Sequence, residues 1–248
     1  MGIEIAAETV FKIGSFPVTN SVLVTWSTTA ILSTAALVAT RKVQMVPSGI
    51  QNFFEFVIEA GYGMMEDLAH SKAKVFFPFL MTFFLFIITA NWLGLFPGFG
   101  TIGFTEHHDG KEVFVPLLRS INADLNSTLA LALVSVVLTH IFSVKYLGIW
   151  DYLKRWVSLN PIFLFVGILE IVSEFTKVIS LSFRLFGNIF AGEVVLSTIA
   201  GLSKYTAFIV PLPFYFLEII VGFVQAAVFM MLTLVFMVLL TEKHGSEH

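Results

Sequence analysis

Ser180-Leu-Ser-Phe-Arg184-Leu-Phe-Gly-Asn188-Ile-Phe-Ala-Gly-Glu193 lies inside a mostly apolar stretch running from Asn160 to Ala200. Its arginine decides how the chain must fold. A guanidinium carries five N–H donors and stays charged at any accessible pH. Holding one at bilayer depth costs at least about 2.5 to 3.5 kcal/mol on insertion scales, so the surrounding structure must supply water or a counter-charge.

Composition establishes that bilayer depth is the relevant frame. Of 248 residues, 57% are hydrophobic and 12% charged, with 28 phenylalanines; mean hydropathy is +0.89. Soluble domains carry about 25% charged residues, so the chain reads as one integral membrane domain spanning 1–248. The net charge of -3 lacks the basic bias of nucleic-acid binding. There is no cysteine, which removes disulfide and thiolate chemistry. The N-terminus carries acidic residues where a signal peptide is basic, and reads as no cleaved targeting segment.

At about 20 apolar residues per crossing, five stretches qualify: 21–40, 75–96, 125–147, 160–200 and 207–241. The expected fold class is all-α. The runs are twice the length of a membrane β-strand and do not alternate, which argues against a barrel. Lys12, Lys111, Arg119 and Lys204 fall on one side of the five crossings. Arg41, Lys42, Lys72, Lys74, Lys145, Lys154, Arg155 and Lys243 fall on the other. The positive-inside rule then predicts a cytoplasmic C-terminus and an outside N-terminus.

Residues 48–70 place Ser48, Asn52, Glu55, Glu59, Glu66 and His70 on one helical face, with apolar side chains over much of the rest. That pattern predicts an amphipathic helix in the membrane interface; a plain connector is the alternative. The last two stretches would reach about 60 and 50 Å against a hydrocarbon core of about 30 Å. They must protrude or incline steeply.

On an ideal helix Glu170, Glu174, Lys177, Arg184 and Asn188 fall within about 80° of one another. Glu193 points the other way. Glu170 and Glu174 lie about 21 and 15 Å before Arg184, and Glu193 about 13 Å beyond it. In the last stretch Glu218, Gly222 and Gln225 share a face, and an antiparallel pair brings Glu218 level with Glu193. The two carboxylates can line an aqueous route or hold helices together by sharing a proton. Glu170, Glu174 and Lys177 read equally as an ion-pair cluster. Arg184 itself can be a structural partner of a buried acid. Asn91, Asn122, Asp124 and Asn126 fit caps or interhelical bonds as well as channel lining. Glu106-His-His-Asp109 reads as a solvated loop more readily than as a metal site.

Arg184-Leu-Phe-Gly-Asn188-x4-Glu193, followed by Glu218-x6-Gln225, resembles subunit a of the F-type ATP synthase membrane sector. The resemblance extends through Asn91-Trp-Leu-Gly-Leu-Phe-Pro97, Ala123-Asp-Leu-Asn126 and the order of helices over nearly the whole chain. It implies a non-catalytic, proton-translocating stator subunit of the inner membrane that opposes a rotating ring of c subunits. Lipid and b-type peripheral stalk subunits would be its other partners, with no cofactor or metal. It assigns Arg184 as the counter-ion of the ring carboxylate and the barrier between two half-channels. Glu193, Glu218, Asn188, Gln225, Asn91 and Asp124 then line the outer route or surround the arginine, and Glu170, Glu174, Lys177 and Ser180 lie toward the cytoplasmic exit. This chain has glutamate at both outer acidic positions, where some relatives carry one histidine.

Among rivals, a secondary transporter is expected to show internal repeats, and none is visible. A haem protein would need axial ligands from separate helices, yet His140 alone among the histidines falls in a span. A structural anchor has no need of carboxylates on both sides of a buried arginine.

Overall fold

The computed structural model describes residues 8–41, 44–46, 49–96, 99, 102–108, 111–156, 161–202 and 210–242. The chain opens with a short antiparallel hairpin, β1 (Thr9–Ile13) and β2 (Phe16–Thr19), that leads into α1 (Asn20–Thr40). Then come α2 (Ile50–Ala69), α3 (Ala73–Gly94), a second antiparallel hairpin of β3 (Gly103–His108) and β4 (Lys111–Pro116), α4 (Leu125–Leu147), the short α5 (Ile149–Trp156), α6 (Pro161–Leu202) and α7 (Leu212–Thr241).

The protein is an all-α membrane protein, and five segments among the described residues are long and apolar enough to cross. Two hairpins and α5 add to what periodicity predicts, because runs of four to eight residues are too short for a hydrophobic repeat to declare itself. Glu106, His107 and His108 belong to β3 rather than to a loop, and Asp109 lies outside the described residues, as do Ser48 and Asn160.

α2 and α3 are joined at His70. His70 has φ 46° and ψ −120°, a backbone state that side-chain-bearing residues seldom adopt. The helical ladder breaks there and resumes through a 3-10 turn, His70–Lys72, into α3. Asn52, Glu59 and Glu66 are exposed on α2, and Gly61, Met65 and Ala69 are buried. Phe53, Phe56, Met64 and Leu68 also remain exposed.

The core is made by α3 against α7 and by α4 wedged between α6 and α7. Aromatic edges lock it: Phe76 meets Phe142 and Tyr146 at 5.1 and 5.9 Å, and Phe83 meets Phe229 at 5.5 Å. Apolar burial drives little association between helices already in lipid, so hydrogen bonds and close packing carry the contact. Hydroxyl ties do this along α4. Ser135 and Thr233 share a hydrogen bond of 2.8 Å, Thr128 and Ser182 one of 3.2 Å, and Ser143 donates to the Leu240 carbonyl at 2.7 Å.

Lys72 closes the end of α7. Its Nζ donates to the Thr241 carbonyl at 3.0 Å and to Thr241 Oγ1 at 3.1 Å, and lies 5.2 Å from the Tyr146 ring centroid. A cation at a helix C-terminus satisfies orphaned carbonyls and opposes the helix dipole. Replacing Lys72 by Met keeps the aliphatic stem and removes these bonds. The expected loss is about 1 to 2 kcal/mol, measured as a lower midpoint for heat-induced loss of helical signal in detergent; an unchanged midpoint would contradict the capping role.

Candidate functional site

Arg184 sits near the middle of α6 on its exposed face, with Ser180, Phe183 and Asn188, whereas Leu181, Ser182, Leu185 and Ile189 of the same turns are buried against α4 and α7. Its Nη2 donates to Ser180 Oγ at 3.3 Å. Among the described residues no carboxylate lies within ion-pair distance of it. Arg184 also borders a narrow crevice between α6 and α7 that it shares with Gln225, Leu181 and Phe229. Arg184 is thus an exposed cation at the edge of the crevice between α6 and α7.

The polar stripe predicted along this helix divides in the structure. Glu174 turns inward and is buried, Glu170 and Lys177 are half-buried, and Ser180, Arg184 and Asn188 face out. Lys177 Nζ bonds Glu174 Oε1 at 2.6 Å, so the ion-pair reading holds for these two. The divergence arises because Lys177, on its long stem, reaches back one turn to the carboxylate instead of extending along the stripe.

On the other side of the arginine, Glu193 and Glu218 come together. Glu218 is 6% exposed. Its carboxyl group abuts Gly192 so closely that a Cβ there would overlap it. Glu193 is near enough for the two carboxyls to act on one another electrostatically. Its Oε2 is buried and has no hydrogen-bond partner among the described residues, a state that in a polar cavity is met by water.

Two further groups frame this pair. Arg119, which the sequence places in an ordinary outer loop, is 4% exposed; it donates to the Ala123 carbonyl at 3.3 Å and its charge acts on Glu193. Only the apolar neighbours Leu117, Leu118 and Ile121 hint at this in the sequence. Asn91 donates to the Gly222 carbonyl at 3.0 Å and accepts from Asn122 Nδ2 at 2.7 Å. The approach is possible because Gly222 has no side chain: a Cβ would stand 3.1 Å from that of Asn91. Asn122 Oδ1 and Ser120 Oγ are buried without hydrogen-bond partners among the described residues in the same region.

Asp124 is the N-cap of α4. It accepts from Asn126 N at 3.0 Å, and its other oxygen accepts from Ser21 Oγ at 2.8 Å and Ser127 Oγ at 3.3 Å. The Ser21 bond also ties α1 to α4. This favours the capping reading for Asp124. Among the described residues no group of three or more His, Asp or Glu side chains is placed to hold a metal ion.

Five long apolar helices among the described residues, with charged side chains carried on helix faces within them, define a multi-pass membrane protein. Residues 22–238 match the family model described as ATP synthase A chain. The chain is 36% identical over 221 residues to ATP synthase subunit a of Citrifermentans bemidjiense, covering 88% of this chain and 85% of the relative. It is 33% identical over 221 residues to that of Trichlorobacter lovleyi, with the same coverage. To that of Moorella thermoacetica it is 30% identical over 235 residues, covering 95% of this chain and 96% of the relative. The chain belongs to the ATP synthase A chain family. That membership gives it the proton-translocating stator role of the Fo membrane sector and a partnership with other ATP synthase subunits.

Gly192→Ala tests the packing of the outer pair. The added methyl must displace the flexible Glu218 carboxyl rather than the backbone, so the subunit is expected to assemble normally. ATP-driven proton pumping by the assembled complex is expected to fall by about tenfold, since a displacement near 1 Å suffices for such losses. Normal pumping in this variant would show that the position of the Glu218 carboxyl is unimportant.

Proposed function

We propose that the chain forms two offset half-channels, 1–248 acting as one membrane domain, and that Arg184 separates them while facing an acidic residue on each c subunit of a rotating ring. The observation that carries this reading is the outward-facing Arg184 without a carboxylate partner among the described residues of its own chain. A cation at bilayer depth needs an anion or water, and a ring carboxylate that has released its proton in a low-dielectric setting needs a cation. Because a guanidinium does not deprotonate, it attracts the ionised site without relaying its proton. A unit charge crossing 100 mV is worth about 2.3 kcal/mol, and a water path past Arg184 would dissipate that energy. Counter-ion and barrier are therefore one role.

The outer half-channel runs past Glu193 and Glu218 toward Asn188 and Gln225, with Asn91 in the packing wall between α3 and α7 and Asp124 holding the start of α4. The inner one leaves past Ser180, Lys177, Glu174 and Glu170. The lysine and arginine asymmetry supports an N-terminus outside and a C-terminus in the cytoplasm of an inner-membrane protein. Partners in this arrangement are the c-ring on the exposed α6 and α7 faces, and b-type peripheral stalk subunits and lipid elsewhere. The ATP chemistry lies on other subunits.

Arg184→Ala is expected to abolish gradient-driven ATP synthesis by the assembled complex and to open a passive proton leak; undiminished synthesis would sink the assignment. Glu218→Gln, which keeps the side-chain shape, is expected to slow ATP-driven vesicle acidification by about ten- to a hundredfold while the complex still assembles. Failure to assemble would favour a purely structural carboxyl pair.

A further inference from the structure

Where α4, α5 and α6 meet, on the N-terminal side of Arg184 along α6, a histidine bridges two elements. His140 Nδ1 and the Tyr152 hydroxyl of α5 share a hydrogen bond of 3.2 Å. His140 Nε2 lies 3.6 Å from Glu174 Oε2 on α6. The other oxygen of that carboxylate takes the 2.6 Å bond from Lys177 Nζ, and the ammonium sits 4.9 Å from the Phe236 ring centroid of α7. Lys145, the other charged residue of α4, lies instead over the Phe142 ring, and Asp151 and Lys154 of α5 are exposed. The groups recorded against His140 among the described residues include Tyr152, Glu174 and, behind the carboxylate, Lys177, with the Trp156 ring packed at 5.9 Å, and half-buried Glu170 stands one turn before Glu174 on α6.

We infer that His140 is a proton-exchange residue of the inner half-channel, passing protons between Glu174 and water at α5. The inference rests on the half-channel reading above. Three observations support it beyond a mechanical tie. Elsewhere among the described residues α4 is tied to α6 and α7 through serine and threonine hydroxyls, which hold helices without titrating; here the tie consists of titratable groups. The histidine side chain is 25% exposed and that of Glu174 10%, so the imidazole is the more open of the two to whatever surrounds α5. Glu174 lies ten residues, about 15 Å, from Arg184 along α6, within reach of Arg184 through a short run of water. A proton taken up from water by Glu174 at Oε2 passes to Nε2 of a neutral imidazole carrying hydrogen on Nδ1, which restores the carboxylate paired with Lys177; the imidazolium then loses its Nδ1 proton to water beside Tyr152. One proton has moved and none is consumed, and the ring, left with hydrogen on Nε2, regains its starting tautomer when it turns and exchanges that hydrogen with water, with no net proton moved. Tyr152 orients the ring and selects which nitrogen faces outward, a positioning role.

The test uses membrane vesicles holding the whole ATP synthase, with turnover normalised at each pH to uncoupled ATP hydrolysis. His140→Gln retains hydrogen bonding without titrating. Coupled turnover is expected to fall about tenfold and to lose its dependence on the pH of the α5-side medium between about pH 5.5 and 7.5, the range of histidine titration, with partial rescue by added imidazole. Wild-type turnover and pH profile would overturn the inference, and so would a loss that leaves the profile unchanged and that imidazole does not rescue, the mark of a structural latch. If His140→Gln does not assemble, Tyr152→Phe decides, since it keeps the ring packing: a shifted pH profile supports the relay and an unchanged one overturns it. Arg184→Ala in the same vesicles keeps the two proposals apart. Coupled synthesis surviving there would remove the half-channel reading itself, whereas its loss beside a normal His140→Gln removes only the relay.

Discussion

A permanent charge at bilayer depth has to be met by protein or by water, and Arg184 is where this requirement shapes the rest of the molecule. The buried side of α6, with Leu181, Ser182, Leu185 and Ile189, is occupied by its packing neighbours. The guanidinium is left on the opposite side with Ser180 as its hydrogen-bond partner. A helix that paired its arginine internally would be a finished object. This one leaves its most costly group exposed, with no carboxylate of its own chain within ion-pair distance among the described residues.

The carboxylates are then distributed by packing rather than by spacing alone. On one side Glu174 is turned into α4 and engaged by Lys177 and His140. On the other, Gly192 lets the Glu218 carboxyl press against the α6 backbone beside Glu193, and Arg119 supplies an opposing charge from the segment before α4. Hydroxyl and amide ties hold these groups at their levels. Asn91 on the Gly222 carbonyl, Asp124 on Ser21 and Ser135 on Thr233 each join elements far apart in sequence, and in lipid such bonds take over work that apolar burial does in water.

The long helices were legible because their physics is local. α4 runs Leu125–Leu147, the stretch that apolar length marks out, with Asp124 as its N-cap and Gly148 closing it at φ 83°. Residues 160–200 and 207–241 correspond to Pro161–Leu202 and Leu212–Thr241. The pairing of Glu193 with Glu218 was also accessible, since an antiparallel turn between two helices fixes relative depth. Arg119 and His140 were not, as each is a single residue whose importance comes from a neighbour in another element. The hairpins were too short, and the His70 corner too dependent on one backbone angle, to leave a periodic signature.

What the sequence by itself determined is the class of protein, its crossings and the cost of Arg184, because hydropathy and charge act on a segment wherever it lies. The string around Arg184, with Glu218 and Gln225 to follow, also sufficed to indicate the family. The tertiary structure alone decided which polar groups meet: that Glu174 turns toward His140 while Arg184 turns out, that Arg119 is buried beside the outer carboxylates, and that Asp124 serves as a cap. Helical spacing places a residue on a face, but the choice between solvent, lipid and a partner belongs to whatever packs against that face.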